Sequence, residues 1–129
     1  MKHWIRIATL GLALCATTVL PSCIVSSSGA GPEGTAYVFG HLDGTLTASP
    51  QKIVQAAKSV LEEEEMHNIT GDATALDGKV TAETALSTKI EITVKRQDEN
   101  LSKVSIHVGS FGDHKISSNL YEKIKAKVQ

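Results

Sequence analysis

The stretch KIEITVKRQDENLSKVSIHV, residues 89–108, decides the fold. Its first part alternates strictly, with Ile90, Ile92 and Val94 on one side and Lys89, Glu91, Thr93 and Lys95 on the other. A period of two puts the apolar residues on one face of a pleated strand and the polar ones on the opposite face. Gln97-Asp98-Glu99-Asn100 is a polar turn. The chain then returns as Leu101–Val108, with Val104, Ile106 and Val108 inward and Lys103, Ser105 and His107 outward. Two neighbouring strands of this kind form an antiparallel hairpin, packed on one face and wet on the other.

Upstream, Lys79–Leu86 repeats the pattern with Val80, Ala82, Thr84 and Leu86 inward, between a tight Asp77-Gly78 turn and a Ser87-Thr88 turn. Asn68–Ala75 is a weaker strand. Before it, Ser49-Pro50 opens a helix, with Ser as cap and Pro in the first turn. Ile53, Ala56, Ala57, Val60 and Leu61 form one apolar stripe, and the spacing predicts a helix to about Met66. Thr35–Thr47 reads as one first strand, with Val38, Leu42 and Leu46 inward and Tyr37, Phe39, His41 and Asp43 outward. Gly40 and Gly44 within it signal a bulge or the close approach of another element. Downstream, Ile116, Leu120, Ile124 and Val128 stripe a last helix, whose Lys123, Lys125 and Lys127 suit the negative end of its dipole.

One-sided strands and one-sided helices bury their apolar surfaces together when both helices cover the same sheet face. The expected fold is therefore α+β: a single antiparallel sheet of about five strands with two helices packed on one face, in the order β-α-β-β-β-β-α. Antiparallel pairing throughout places the first strand beside the fifth, a spatial order of 2-3-4-5-1.

The N-terminus carries a different message. Lys2 and Arg6 precede an apolar run from Ile7 to Leu20, short for a membrane span, which ends in Leu20-Pro21-Ser22-Cys23. This resembles the lipobox of bacterial lipoproteins, in which the cysteine is acylated and becomes the new N-terminus. The expected organisation is a lipoprotein signal peptide at residues 1–22, a lipidated Cys23 with a flexible tether at 23–34, and a single globular domain at 35–129. Ordinary signal cleavage near Cys23, leaving a secreted soluble chain, is the competing reading. Residues 24–34 are Ser, Gly and Pro rich, a composition that orders poorly by itself. Acyl chains on Cys23 would hold the chain to a membrane, each buried methylene contributing about 0.8 kcal/mol. Ile24 is not Asp, which by the sorting rule of enteric-type bacteria favours the outer membrane, facing the periplasm.

The chain has 129 residues and a net charge of −1. That length supports one domain with its own core. The near-neutral balance disfavours nucleic acid as a partner. No cofactor motif is present, and with Cys15 removed alongside the signal, Cys23 is the one remaining cysteine.

The chain resembles a family of small bacterial lipoproteins catalogued as a domain of unknown function. The likeness rests on the lipobox ending at Cys23 and on the Tyr37–Leu46 strand leading into an Ala-rich helix. It continues through Gly78-Lys79-Val80, Lys89-Ile90-Glu91-Ile92 and the run Val104–Asp113. The family has a basic residue where His107 stands. The resemblance implies a membrane-anchored envelope domain and brings no catalytic residues.

Candidate sites follow from residue types. Gly109, Phe111, Gly112 and Asp113 lie in a glycine-bearing turn. Without a following Gly-Lys-Ser/Thr it is not a nucleotide loop. A structural role is expected: glycines at positive φ, Phe111 plugging the core edge, Asp113 capping the helix. Ser110, Asp113 and His114 are triad types but crowd one turn, where a base cannot both reach a nucleophile and be held by a third group. Glu62–Glu65 spreads its carboxylates around a helix instead of converging them on a cation. His41 and His107 both point outward and lack a third ligand, a poor zinc site, so no metal is expected. Tyr37 and Phe39 share the nominally wet face. Either they mark a surface for an envelope protein partner, or they are covered by the tether or a loop, or the parity is inverted there. The expected function is a non-enzymatic structural or protein-interaction module, with periplasmic small-ligand or metal binding as the alternative.

Overall fold

A computed structural model describes residue 32 and residues 34–129. The expected signal peptide, Cys23 and nearly all of the expected tether lie outside these residues. The elements are β1 (Thr35–Val38), β2 (His41–Leu46), α1 (Pro50–Glu63), β3 (His67–Ala73), β4 (Asp77–Glu83), β5 (Lys89–Asp98), β6 (Leu101–Val108) and α2 (His114–Val128). They build one antiparallel sheet in the order β1-β2-β6-β5-β4-β3. Both helices pack on the inner face, α1 over β3, β4 and β5 and α2 over β2 and β6. The α+β class is as the alternation requires, with six strands instead of five.

The extra strand comes from a turn inside the expected first strand. Phe39 and Gly40 have φ of 50° and 80°. Two consecutive left-handed residues make the type I′ hairpin whose twist matches antiparallel strands. The hairpin also corrects the expected parity. In a continuous strand Val38 shares a face with Leu42; here Val38 lies opposite His41 and Tyr37 opposite Leu42. Tyr37 therefore turns inward and packs on the core, and Val38 turns outward, 51% exposed.

The core joins Leu42, Val80, Ile90, Ile92, Val94, Val104 and Ile106 of the sheet to Ile53, Val60, Leu61, Leu120 and Ile124 of the helices, all fully buried or nearly so. Each such side chain contributes about 1.5–3 kcal/mol of transfer free energy. Gly44 makes room for Tyr121, whose ring occupies the space a Cβ would take and whose hydroxyl donates to the Thr45 carbonyl at 3.1 Å. Helix α1 stops before Met66 because Glu65 is left-handed (φ 55°). The amide of Met66 reaches back to the Leu61 carbonyl, a left-handed closure that returns the chain to β3. Glu63 and Glu64 pair with Lys127 and Lys123 of α2.

Strand β4 ends at Glu83, earlier than its alternation predicts. Thr84 Oγ1 accepts from the amides of Leu86 and Thr88, at 3.3 and 3.1 Å, and Ser87 is left-handed. A threonine that bonds its own backbone neighbours starts a turn instead of continuing a ladder. Leu86, expected inward, is 89% exposed as a result.

Candidate functional site

Two surfaces carry unusual residues. The first is the end of the molecule where the Phe39-Gly40 turn, the Thr84–Thr88 turn and the Gly109–Asp113 turn come together. Gly109 and Gly112 have φ of 70° and 85°, and Asp113 Oδ1 accepts from the Ile116 amide at 2.9 Å, capping α2. Gly112 packs against Gly40 so closely that a Cβ would collide with the Gly40 Cα and carbonyl and with the Tyr37 hydroxyl. A Cβ on Gly40 would in turn meet the Phe111 carbonyl at 2.6 Å. This glycine contact fixes the hairpin tip on the start of α2.

Phe111 does not plug the core edge; it is 94% exposed. Its backbone is held by the glycine contact, and its side chain is directed to water. Phe39 at the hairpin tip is 96% exposed. Tyr37 and Phe39, read as a pair, are thus split. Tyr37 is half-buried and meets His114 edge-to-face, ring centroids 4.8 Å apart. Beside these turns runs an open groove of about 1040 Å³, floored by Met66, Val108 and Ile116 and flanked by Leu86, Phe111 and Glu65. Ser110 is exposed and Nε2 of His114 is buried with no hydrogen-bond partner among the described residues, so Ser110, Asp113 and His114 form no relay.

The second surface is the outer face of the sheet. Register builds it as three rows across β2, β6 and β5: His41, His107, Glu91; then Asp43, Ser105, Thr93; then Thr45, Lys103, Lys95. Short Ser105 stands at the centre of longer side chains, leaving a basin of about 240 Å³. The imidazoles of His41 and His107 stack at 4.3 Å and 23°. His107 Nδ1 lies 2.9 Å from the Gly40 carbonyl. Near-parallel rings direct their lone pairs alongside one another, a poor arrangement for one metal. No cluster of three or more His, Cys, Asp or Glu suited to a metal occurs among the described residues.

The carboxylates are tied down. Lys103 Nζ lies 2.8 Å from Asp43 Oδ2, and Lys79 Nζ 3.1 Å from Glu91 Oε2. Partial burial pushes Asp43 up, but the facing Lys103 and Ser105 side chains and the charges of Lys103 and His41 outweigh it and hold the carboxyl below its ordinary range. Glu91 is held low chiefly by its hydrogen bond from Lys79, against burial, with help from the charges of Lys79, Lys89 and His107. The sequence shows the outward row on each strand; which rows adjoin is set by register, which no single strand encodes.

A family described as "Protein of unknown function (DUF3568)" matches residues 5–127, almost the whole chain. No curated protein matches it.

Proposed function

We propose, for a chain that belongs to this family of proteins of unknown function, that it is a lipid-anchored cell-envelope protein that works by docking a protein partner and catalyses no reaction. Cys23 carries the acyl chains, the outer membrane is the expected location, and the end bearing Phe39, Phe111 and Leu86 is the docking surface. The observation that carries this is Phe39. A bulky residue at φ 50° is strained, by about 1–3 kcal/mol; the Gly40–Gly112 contact holds the turn, and the Phe39 side chain, 96% exposed, gains no packing within the domain in return. Backbone strain clusters at ligand-binding and switch sites, and aromatic side chains, Phe among them, are enriched at protein interfaces. The chain enters β1 at Thr35 and Phe39 lies beyond its other end, about 13 Å along the strand. Phe39 thus lies at the end of β1 opposite the point where the chain enters the domain.

The test is a photo-crosslinking residue at position 39 in cells expressing the full chain. One discrete protein adduct is expected, lost when Phe111→Glu and Leu86→Glu are added; uncrosslinked monomer alone refutes docking. Separately, Cys23→Ser should release the protein from membranes. A Cys23→Ser protein that is cleaved yet still pellets with membranes would refute the anchor.

A further inference from the structure

The basin lies on the outer sheet face; its His41–His107 row adjoins the hairpin, with His107 Nδ1 2.9 Å from the Gly40 carbonyl, while its Lys95–Lys103 row lies two rows farther from the docking end. Its charges do not close on themselves. Among the described residues Lys95 forms no ion pair. Its cross-strand neighbour on β6 is Lys103, a like charge directly opposite that is itself held 2.8 Å from Asp43 and offers Lys95 no counter-charge. Its neighbour on β4 is Asp77, whose carboxylate is engaged by Thr74 Oγ1 at 2.7 Å. An anionic group seated between Lys95 and Lys103 would give Lys95 the counter-charge it lacks, with the Thr93 and Ser105 hydroxyls in the adjoining row.

A bare anion would not fit the rest of the basin. Asp43 and Glu91 flank the floor on either side, and ionised carboxylates only accept hydrogen bonds. The occupant must therefore offer donors as well as a negative charge. We infer that the basin binds a small polyhydroxylated anion, a sugar acid or sugar phosphate, with its anionic group on Lys95 and Lys103 and its hydroxyls donating to Asp43 and Glu91. The volume of about 240 Å³ admits a single ring and its substituents. Half-exposed Val38, beside His41 in the same row, offers an apolar edge to the ring's C–H face.

The experiment titrates the full chain, purified in detergent, with glucuronate, glucose 6-phosphate, glucose and inorganic phosphate, following backbone amide resonances. Saturable shifts at Thr93, Lys103 and Ser105 are expected with one or both sugar anions, at a Kd of about 1 mM. Glucuronate alone would identify the anionic group as carboxylate, glucose 6-phosphate alone as phosphate, and either supports the site. Lys95→Ala removes an exposed side chain and should weaken binding about tenfold. Leu86→Glu, at the docking end, should leave binding unchanged, which separates this site from the docking surface. The inference is overturned if no sugar anion gives saturable shifts, if glucose or inorganic phosphate binds as well, or if Lys95→Ala binds normally.

Discussion

Two tight turns at opposite ends of the sheet are built by opposite means. Between β5 and β6, Glu99-Asn100 is polar throughout, and Arg96 clamps it by donating to the carbonyls of Asp98 and Glu99 at 3.1 and 3.2 Å. Between β1 and β2, Phe39-Gly40 uses two left-handed residues, exposes its aromatic ring, and is held from outside by the Gly40–Gly112 backbone contact. The first turn is satisfied by its own residues. The second is held by another element and presents a ring that nothing in the domain covers. A turn kept at a local disadvantage points to a role beyond folding.

The comparison breaks most visibly at Gly112. Gly112→Ala places a Cβ on the Gly40 backbone at a φ that favours glycine, and should destabilise by about 3 kcal/mol in thermal unfolding. A loss under about 1 kcal/mol would mean the hairpin tip is not pinned there. A smaller effect of opposite sign tests the strain itself. Phe39→Asn, a residue suited to the first position of this turn, should stabilise by about 1 kcal/mol, while Arg96→Ala should destabilise by about 0.5–1 kcal/mol. Denaturant midpoints moving in the same direction for both variants would erase the distinction between the turns.

The smallest effect concerns acid. Asp43 and Glu91 are held below their ordinary values, so in mild acid the folded protein binds fewer protons than the unfolded chain. Their contribution is complete above about pH 5 and is lost as pH falls through the depressed values. Each is partly exposed, so less than about 1 kcal/mol is expected from either. Lys103→Met should flatten the acid limb of a stability-against-pH curve; an unchanged limb would show that the Asp43 pair contributes nothing to it.

Much of this was legible because it is local. The Lys89–Val108 alternation, the Ser49 and Asp113 caps and the stripes on α1 and α2 are properties of consecutive residues, and they fix strand, helix and inward face wherever the chain goes. The exposure of Leu86 and Phe111 is not legible in their local pattern, because each lies in a turn whose path depends on Thr84 or on the Gly40–Gly112 contact.

By itself, then, the sequence determined an α+β domain with a one-faced antiparallel sheet, since periodicity along the chain already says which side of each element is apolar. Only the tertiary structure decided that Tyr37 faces inward and Val38 outward. It also decided that Ser105 sits ringed by His41, His107, Asp43, Glu91 and two lysines. Those facts depend on one turn's φ angles and on strand register, which are set by contacts between residues far apart in the chain.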